Sequence, residues 1–423
     1  MIKPLYSAAT YLATPALLGY LAWRSRREPA YRQYIGERFG LRGPSAPRDA
    51  LWIHAASVGE VQAMSALVRA CQQRYPERPI VISTMTPSGA DHVRRLFGTA
   101  VSAVLLPFDQ PHAMRHFVRQ LSPRLAVIME MEWWPNLFGC LRADAVPVVM
   151  ANARLSERSA RRYRRLPGLM REMLGTPRVI SAQTRADADR LIRLGAPGDR
   201  VVVDGNLKFD ASGSMDRESA RGLRHDIGSA RPVWIAASTR GNEEPAVLDA
   251  FRMIQKDHPD LLLLLAPRHA DRFDEVEHLC QARGLRLARR SRDSAGMADA
   301  EVLLADTLGE LPWLYGAADV AFVGGSLVPL GGQNMLEPAA WGLPVVLGPH
   351  TFNFTEVVKQ LTAAGAAESV SNAAELARTV SRLLSDPQER ANGGGRAQSL
   401  VARHAGAGER LLSRLGPLLR GDR

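Results

Sequence analysis

The chain has 423 residues, more than the ~100–200 of one ordinary domain, and its 46% hydrophobic and 23% charged composition excludes a disordered or fibrous protein. Three widely spaced cysteines, Cys71, Cys140 and Cys280, form no CxxC pair, which argues against a disulfide framework or a zinc site and for a reducing compartment. A net charge of +11 attracts nucleic acid, anionic lipid headgroups or phosphorylated small molecules without choosing among them.

From Pro4 to Trp23 (PLYSAATYLATPALLGYLAW) no residue is charged, and crossing a bilayer takes ~20 mostly apolar residues. Arg24, Arg26 and Arg27 follow at once, an arrangement that keeps the remainder on the cytoplasmic side. Only Lys3 precedes the apolar run and no A-x-A site ends it, so a cleaved signal peptide is disfavoured. The Ala and Thr content and Pro15 leave open a helix lying in one leaflet instead of spanning it.

Beyond this segment, short apolar runs alternate with amphipathic stretches. Strands are predicted at Leu51–His54, Ile80–Thr84, Val101–Leu106, Leu125–Met129, Val146–Met150, Val179–Ala182 and Val201–Asp204. Helices are predicted between them, among others at Val61–Arg74, Ser88–Phe97, Ala113–Leu121 and Asp187–Leu194. After a polar stretch, Asp210–Ser214, strands resume at Val233–Ala237, Leu261–Ala266, Leu285–Ala288, Val302–Ala305, Val320–Val323 and Val345–Leu347. Buried strands separated by helices make parallel sheets covered on both faces. The fold class is therefore α/β, two tandem Rossmann-like domains behind an N-terminal membrane-anchor helix. The expected spans are 1–24 for the anchor, 25–208 for the first domain and 209–423 for the second. Ligands are expected in a cleft at the carboxyl ends of the strands, although this layout serves epimerases and binding proteins too.

Chemistry-bearing residues fall where strands end. HAASVGE (His54–Glu60) follows the first strand, and Glu60 falls in the first turn of a helix, where the dipole favours an ionised carboxylate able to accept a proton. The bland alternative is an acidic residue serving that helix alone. EMEWWPN (Glu130–Asn136) places Glu130 and Glu132 two apart at the end of a buried strand, aimed the same way by its period of two, with a helix-capping role open for Glu132. ANARLS (Ala151–Ser156) and GNLK (Gly205–Lys208) each set Asn beside a cation, a pairing suited to anions or hydroxyls, and Lys208 suits a phosphate or carboxylate. In the second half, PRH (Pro267–His269) presents Arg268 to a nucleotide phosphate. ADTLGEL (Ala305–Leu311) turns into a helix, and GGQNMLEPA (Gly331–Ala339) offers backbone N–H groups at a helix start as a phosphate cradle, with Glu337 placed for ribose hydroxyls. GxGxxG, P-loop, GxSxG and HExxH motifs do not occur. The Asp187-Ala188-Asp189 string reads as a solvated helix face before a metal site, so a metal-independent reaction is expected. The arginine-rich string Arg154–Arg165 also reads as a solvated face.

From the N-terminal segment to about Asn353, the ordered strings HAASVGE, STMTPSG, PFDQP, EMEWWPN, ANARLS, GNLKFD, APRH, DTLGEL, GGSLV, GGQNMLEPAA and GPHTFNF resemble the bacterial 3-deoxy-D-manno-octulosonic acid (Kdo) transferases, the lipid A Kdo transferase family with the GT-B fold. The resemblance implies an inverting glycosyltransferase of lipopolysaccharide core biosynthesis. It would move Kdo from CMP-Kdo to the lipid A precursor, lipid IVA, with no cofactor, at the cytoplasmic face of the inner membrane. The first domain would take the acceptor and the second CMP-Kdo. Glu60 matches the family's general base, and Glu130 and Lys208 match residues that stabilise the transition state. Arg268, His269, the turn Gly309, Glu310, Leu311, and the run Asn334, Met335, Leu336, Glu337 match the nucleotide-binding segments. Many members carry His at the position of Gln333, Pro at that of Met335 and His-Glu-Gly at Arg240-Gly241-Asn242. The acceptor's phosphates give the basic charge a purpose, with Arg161–Arg165 expected on the membrane side. The alternatives are another GT-B enzyme, such as a lipid A disaccharide synthase or a UDP-GlcNAc 2-epimerase, or a non-catalytic basic protein binding lipid or nucleic acid. Nucleic acid is disfavoured as a partner because the basic residues are not interleaved with aromatics.

Overall fold

Runs of Val, Ile, Leu and Ala bounded by Gly, Pro and Asp form fourteen strands among the residues that the computed structural model describes (2–210, 216–292 and 296–421). The chain divides into two units, Met1–Ala211 with His404–Arg423, and Ser212–Arg403. The first holds β1 (Leu51–His54), β2 (Ile80–Thr84), β3 (Ser102–Leu105), β4 (Leu125–Met129), β5 (Val148–Ala153), β6 (Val179–Ala182) and β7 (Val201–Val203) in the order β3-β2-β1-β4-β5-β6-β7. The second holds β8 (Val233–Thr239), β9 (Leu262–Pro267), β10 (Leu287–Arg289), β11 (Val302–Leu304), β12 (Val320–Val323), β13 (Val345–Leu347) and β14 (Ala367–Ser369) in the order β10-β11-β9-β8-β12-β13-β14.

All the strand pairs are parallel, with Leu51 of β1 opposite both Ile80 and Leu125. Successive side chains of a strand feed opposite faces. Trp52 joins Phe117 and Leu141 in one core, while Leu51 and Ile53 join Val68 and Leu411 in the other. In the second unit Trp234 and Ala236 serve one face, and Val233, Ile235 and Ala237 the other. Strand order reverses between β1 and β4 and between β8 and β12. The loops leaving such neighbours diverge and open a crevice at the carboxyl edge of the sheet.

Three expectations change. The N-terminal run is not one spanning helix. It breaks into Ile2–Leu12 and Thr14–Arg27, with Pro15 in the first turn of the second. Among the described residues no helix is long and apolar enough to cross a membrane. Polar groups tie the first helix to the rest of its unit: Ser7 Oγ donates to Asn136 Oδ1 at 2.7 Å, Lys3 Nζ lies 3.2 Å from Glu172 Oε1, and Gln110 Nε2 donates to Thr10 O at 3.1 Å. Leu5, Leu12, Leu18, Tyr20 and Trp23 remain exposed, Leu12 by 83%.

The second change is at the C-terminus. The span 209–423, expected as one domain, gives its last helix to the first unit. Ala407–Arg420 sinks Leu411, Leu415 and Leu419 into a first-unit core, each such burial contributing on the order of 2 kcal/mol. Arg414 Nη2 donates to the buried Asp204 Oδ1 at 2.9 Å, and Asp210 accepts the Gly406 N–H at 2.6 Å and the Gly408 N–H as well. The polar stretch Asp210–Ser214 lies, beyond Asp210, outside the described residues. Third, β14 was not anticipated, and β5 starts at Val148, after Pro147.

Candidate active site

In the first unit, β1 runs into a turn capped by Ser57, whose Oγ accepts the Glu60 N–H at 3.3 Å. The Glu60 carboxylate reaches back to accept from the Ala56 N–H at 2.9 Å and the Ser57 hydroxyl at 3.0 Å. Glu60 thus closes its own helix start, as the bland reading had it. Its ionisation departs from the expectation. Burial and then the charge of Glu130, with Glu132 adding to it, push the carboxyl up to about 7 against the Ala56 and Ser57 bonds. The helix that begins here, Val58–Ala63, has six residues, and its dipole loses to desolvation and like charge.

Glu130 sits just past β4, with φ +49°, so the strand's period of two does not set its direction relative to Glu132. Its N–H donates to Ala151 O at 2.8 Å, and its Oε1 faces Asn152 Nδ2 at 3.5 Å and Lys208 Nζ at 3.9 Å. Glu132 does not cap the following helix. It accepts from the Trp134 indole at 2.8 Å and faces the buried His54 Nε2 at 3.8 Å, an ion-pair distance. Burial alone would raise the Glu132 carboxyl, but His54 and Trp134 outweigh it and hold the group below its ordinary value. The start of Pro135–Ala143 is capped from elsewhere: Asp109 accepts the Asn136 N–H at 3.0 Å and the Leu137 N–H at 2.9 Å.

The two asparagines expected at an anion act on the protein itself. Buried Asn152, in the left-handed region at φ +58°, accepts the Leu207 N–H at 3.0 Å while its Nδ2 faces Glu130. Asn206 accepts the Lys208 N–H at 3.0 Å. Together they fix the turn that carries Lys208. Asp187 is not on a solvated face either: it is buried and accepts the Leu155 N–H at 2.9 Å.

In the second unit, Arg268 and His269 leave β9 with exposed side chains, and the Arg268 N–H donates to Thr239 O at 2.9 Å. Partial desolvation of the imidazole, with the charges of Arg240 and Arg268, holds His269 below its ordinary value. Glu337 accepts from Asn334 Nδ2 at 3.0 Å. Burial lifts its carboxyl to about 7, with Asn334 and Arg268 opposing. Of the expected run Asn334–Glu337, only the two ends are partly exposed. Met335 and Leu336 are both 0% exposed and belong to the core. The proposed cradle is reduced too, because Asn334 Oδ1 accepts the Leu336 N–H at 3.1 Å. Gly309 turns at φ +91°. Glu310 is engaged by Thr307 Oγ1 and by Arg290 at 3.4 Å, and Leu311 packs against the core.

Sequence reasoning missed Glu243. Its buried carboxylate accepts backbone N–H groups from Gly325, Ser326 (2.9 Å), Leu327 (2.7 Å) and Arg240 (3.2 Å). Nothing in the string NEE marks it, since all but one of these partners lie some eighty residues on. Among the described residues no group of three or more His, Cys, Asp or Glu side chains converges as a metal site would.

A family model for 3-deoxy-D-manno-octulosonic-acid transferase (kdotransferase) matches residues 33–211. A 3-deoxy-D-manno-octulosonic acid transferase of Haemophilus influenzae is 38% identical over 418 residues, covering 98% of this chain and 98% of the relative. The chain belongs to the Kdo transferase family. A second Kdo transferase, from Bordetella pertussis, is also 38% identical, over 98% of this chain and 99% of its own length. Among solved structures, a UDP-GlcNAc 2-epimerase from Neisseria meningitidis shares the fold (TM-score 0.53, 16% identity, 84% of this chain and 98% of that one). The Kdo transferase match over residues 33–211 takes in Glu60, Glu130 and Lys208, and the full-length relatives extend the likeness across both units.

Proposed function

We propose that this chain transfers Kdo from CMP-Kdo to a hydroxyl of the lipid A precursor, with inversion at the anomeric carbon, in lipopolysaccharide biosynthesis. The observation that carries the reading is the Glu60 carboxyl at about 7, crowded by Glu130 in a chain 38% identical to Kdo transferases along nearly all its length. A general base works best with a pKa near the operating pH, and Glu60 takes the acceptor's proton as the new glycosidic bond forms. Glu130, held by Asn152 and Lys208, counters positive charge developing on the sugar ring, and Lys208 keeps the pair from overloading the site with negative charge. In the second unit Arg268 and His269 receive the leaving CMP phosphate, and Glu337 with Asn334 holds the ribose. The donor is a substrate, and the reading includes no cofactor and no metal ion.

The acceptor is lipid-linked, and the reading places the enzyme at the cytoplasmic face of the inner membrane. Leu5, Leu12, Leu18, Tyr20 and Trp23, exposed beside Arg24 and Arg26, suit two short helices lying in the plane of the interface. The reading puts Arg161–Arg165 at the membrane too, and reversing their charge is expected to weaken liposome binding.

The test is product analysis of the purified chain with lipid A precursor, detergent and CMP-Kdo. Transfer by wild type, with the product mass giving the number of Kdo residues added, supports the reading. A folded protein that binds CMP and transfers nothing would point to a different acceptor.

A further inference from the structure

We propose that Arg240, with Gln333 beside it, is a second side-chain anchor for the phosphate of the nucleotide donor. The inference rests on the nucleotide reading of the second unit given above and adds residues to it.

An open parallel sheet ordinarily receives phosphate on backbone N–H groups where strand order reverses. Here β8 and β12 make that reversal, and the N–H groups after β12 do converge. They are already taken. The Glu243 carboxylate accepts from Gly325, Ser326 and Leu327, so an arriving anion meets a filled nest. Positive charge for the phosphate then has to come from side chains.

Arg240 is placed to supply it. The order β9-β8-β12 sets Arg240, leaving β8, between Arg268 at the end of β9 and Gly325 at the end of β12. Gly325 lies at φ +68°, and a Cβ built there would sit 3.4 Å from Arg240 Cδ and 3.3 Å from Gln333 Nε2. Both side chains therefore cross the same glycine, which brings a guanidinium and a carboxamide together over it.

Charge balance points the same way. Other arginines of this unit have acidic partners: Arg224 with Asp319, Arg272 with Glu244, and Arg289 with Asp274, Glu277 and Asp306. Among the described residues Arg240 has no carboxylate paired with it, and its Nε is shut from solvent without a hydrogen-bond partner. Its neighbours Arg268 and His269 add to the cationic side, and the imidazole is depressed by both arginines. Burying such a group without a partner is costly, and an oxyanion relieves the cost.

The test compares CMP with cytidine, which lacks the phosphate, by titration calorimetry on the full chain. Arg240→Ala is expected to weaken CMP binding by ~10-fold or more, the range of a charge-assisted hydrogen bond, and to leave cytidine affinity unchanged. Arg240→Lys should recover part of the loss, and Gln333→Ala should show a smaller loss confined to CMP. Unchanged CMP affinity in Arg240→Ala would overturn the proposal. Equal losses for CMP and cytidine would overturn it as well, by making Arg240 a support for the fold. A wild-type chain that binds no CMP would remove the nucleotide reading and this inference with it, a result separable from the others because it appears before any substitution.

Discussion

The two sheets reverse strand order at β1/β4 and at β8/β12, and the loops leaving those reversals carry opposite chemistry. At the first, Glu60, Glu130 and Glu132 crowd together with one lysine nearby, and the carboxyl of Glu60 rises to about 7. At the second, Arg240 after β8 gathers with Arg268 and His269 from the adjoining β9, and the imidazole is driven down. The scaffold supplies the crevice in both. Which proton or anion is handled there depends on residues in the first turn after each strand, and on how far burial magnifies their charges.

Substitutions that hit one reversal and spare the other test this division most directly. The largest effect expected is for Glu60→Ala: a loss of transfer of ~10²-fold or more with CMP affinity unchanged, read by rate assay beside calorimetry. Arg268→Ala should instead weaken CMP by ~10-fold through loss of a charge-assisted contact, with transfer falling alongside because the same group receives the leaving phosphate. If Glu60→Ala weakened CMP as well, or Arg268→Ala left CMP affinity unchanged, the division of labour between the units would fail.

A subtler effect sharpens the electrostatic side. Glu60 must be ionised to act as a base, so kcat/KM should rise with pH through about 7. Glu130→Gln removes a like charge, so the same rise should move to lower pH, even where the maximal rate falls. A limb that stayed in place would show that burial alone sets Glu60. Smallest of all, Asp109→Ala removes the cap of Pro135–Ala143 and should cost ~1 kcal/mol in urea unfolding, without moving that limb.

The central strands were legible because each is a dense apolar run closed by a turn residue: Leu51–His54, Ile80–Thr84, Leu125–Met129 and Val320–Val323 begin and end as read. The strand Ala367–Ser369 was not, since two of its three residues are exposed at a sheet edge and no apolar run marks it. At the site, Glu60, Glu130 and Lys208 were visible as polar residues in the segments that follow strands, and the structure brings Lys208 to Glu130 and Glu130's charge to bear on Glu60. What stayed hidden is long-range satisfaction of backbone groups. Glu243 binds N–H groups more than eighty positions away, and Asp109 caps a helix twenty-six positions on, partners that no local pattern announces. Met335 and Leu336 were read as ligand contacts because of the string around them, yet their apolar character already suited the core position they occupy.

The helix Ala407–Arg420 has a consequence for how the protein is made. Its leucines complete a core begun by Leu51 and Ile53, and its Arg414 neutralises the buried Asp204. On the ribosome, therefore, the first unit emerges early but stays unfinished, with an open apolar groove and an uncompensated carboxylate. It can close only once residues 407–420 are available to pack, and these follow residues 212–403 of the second unit in the chain.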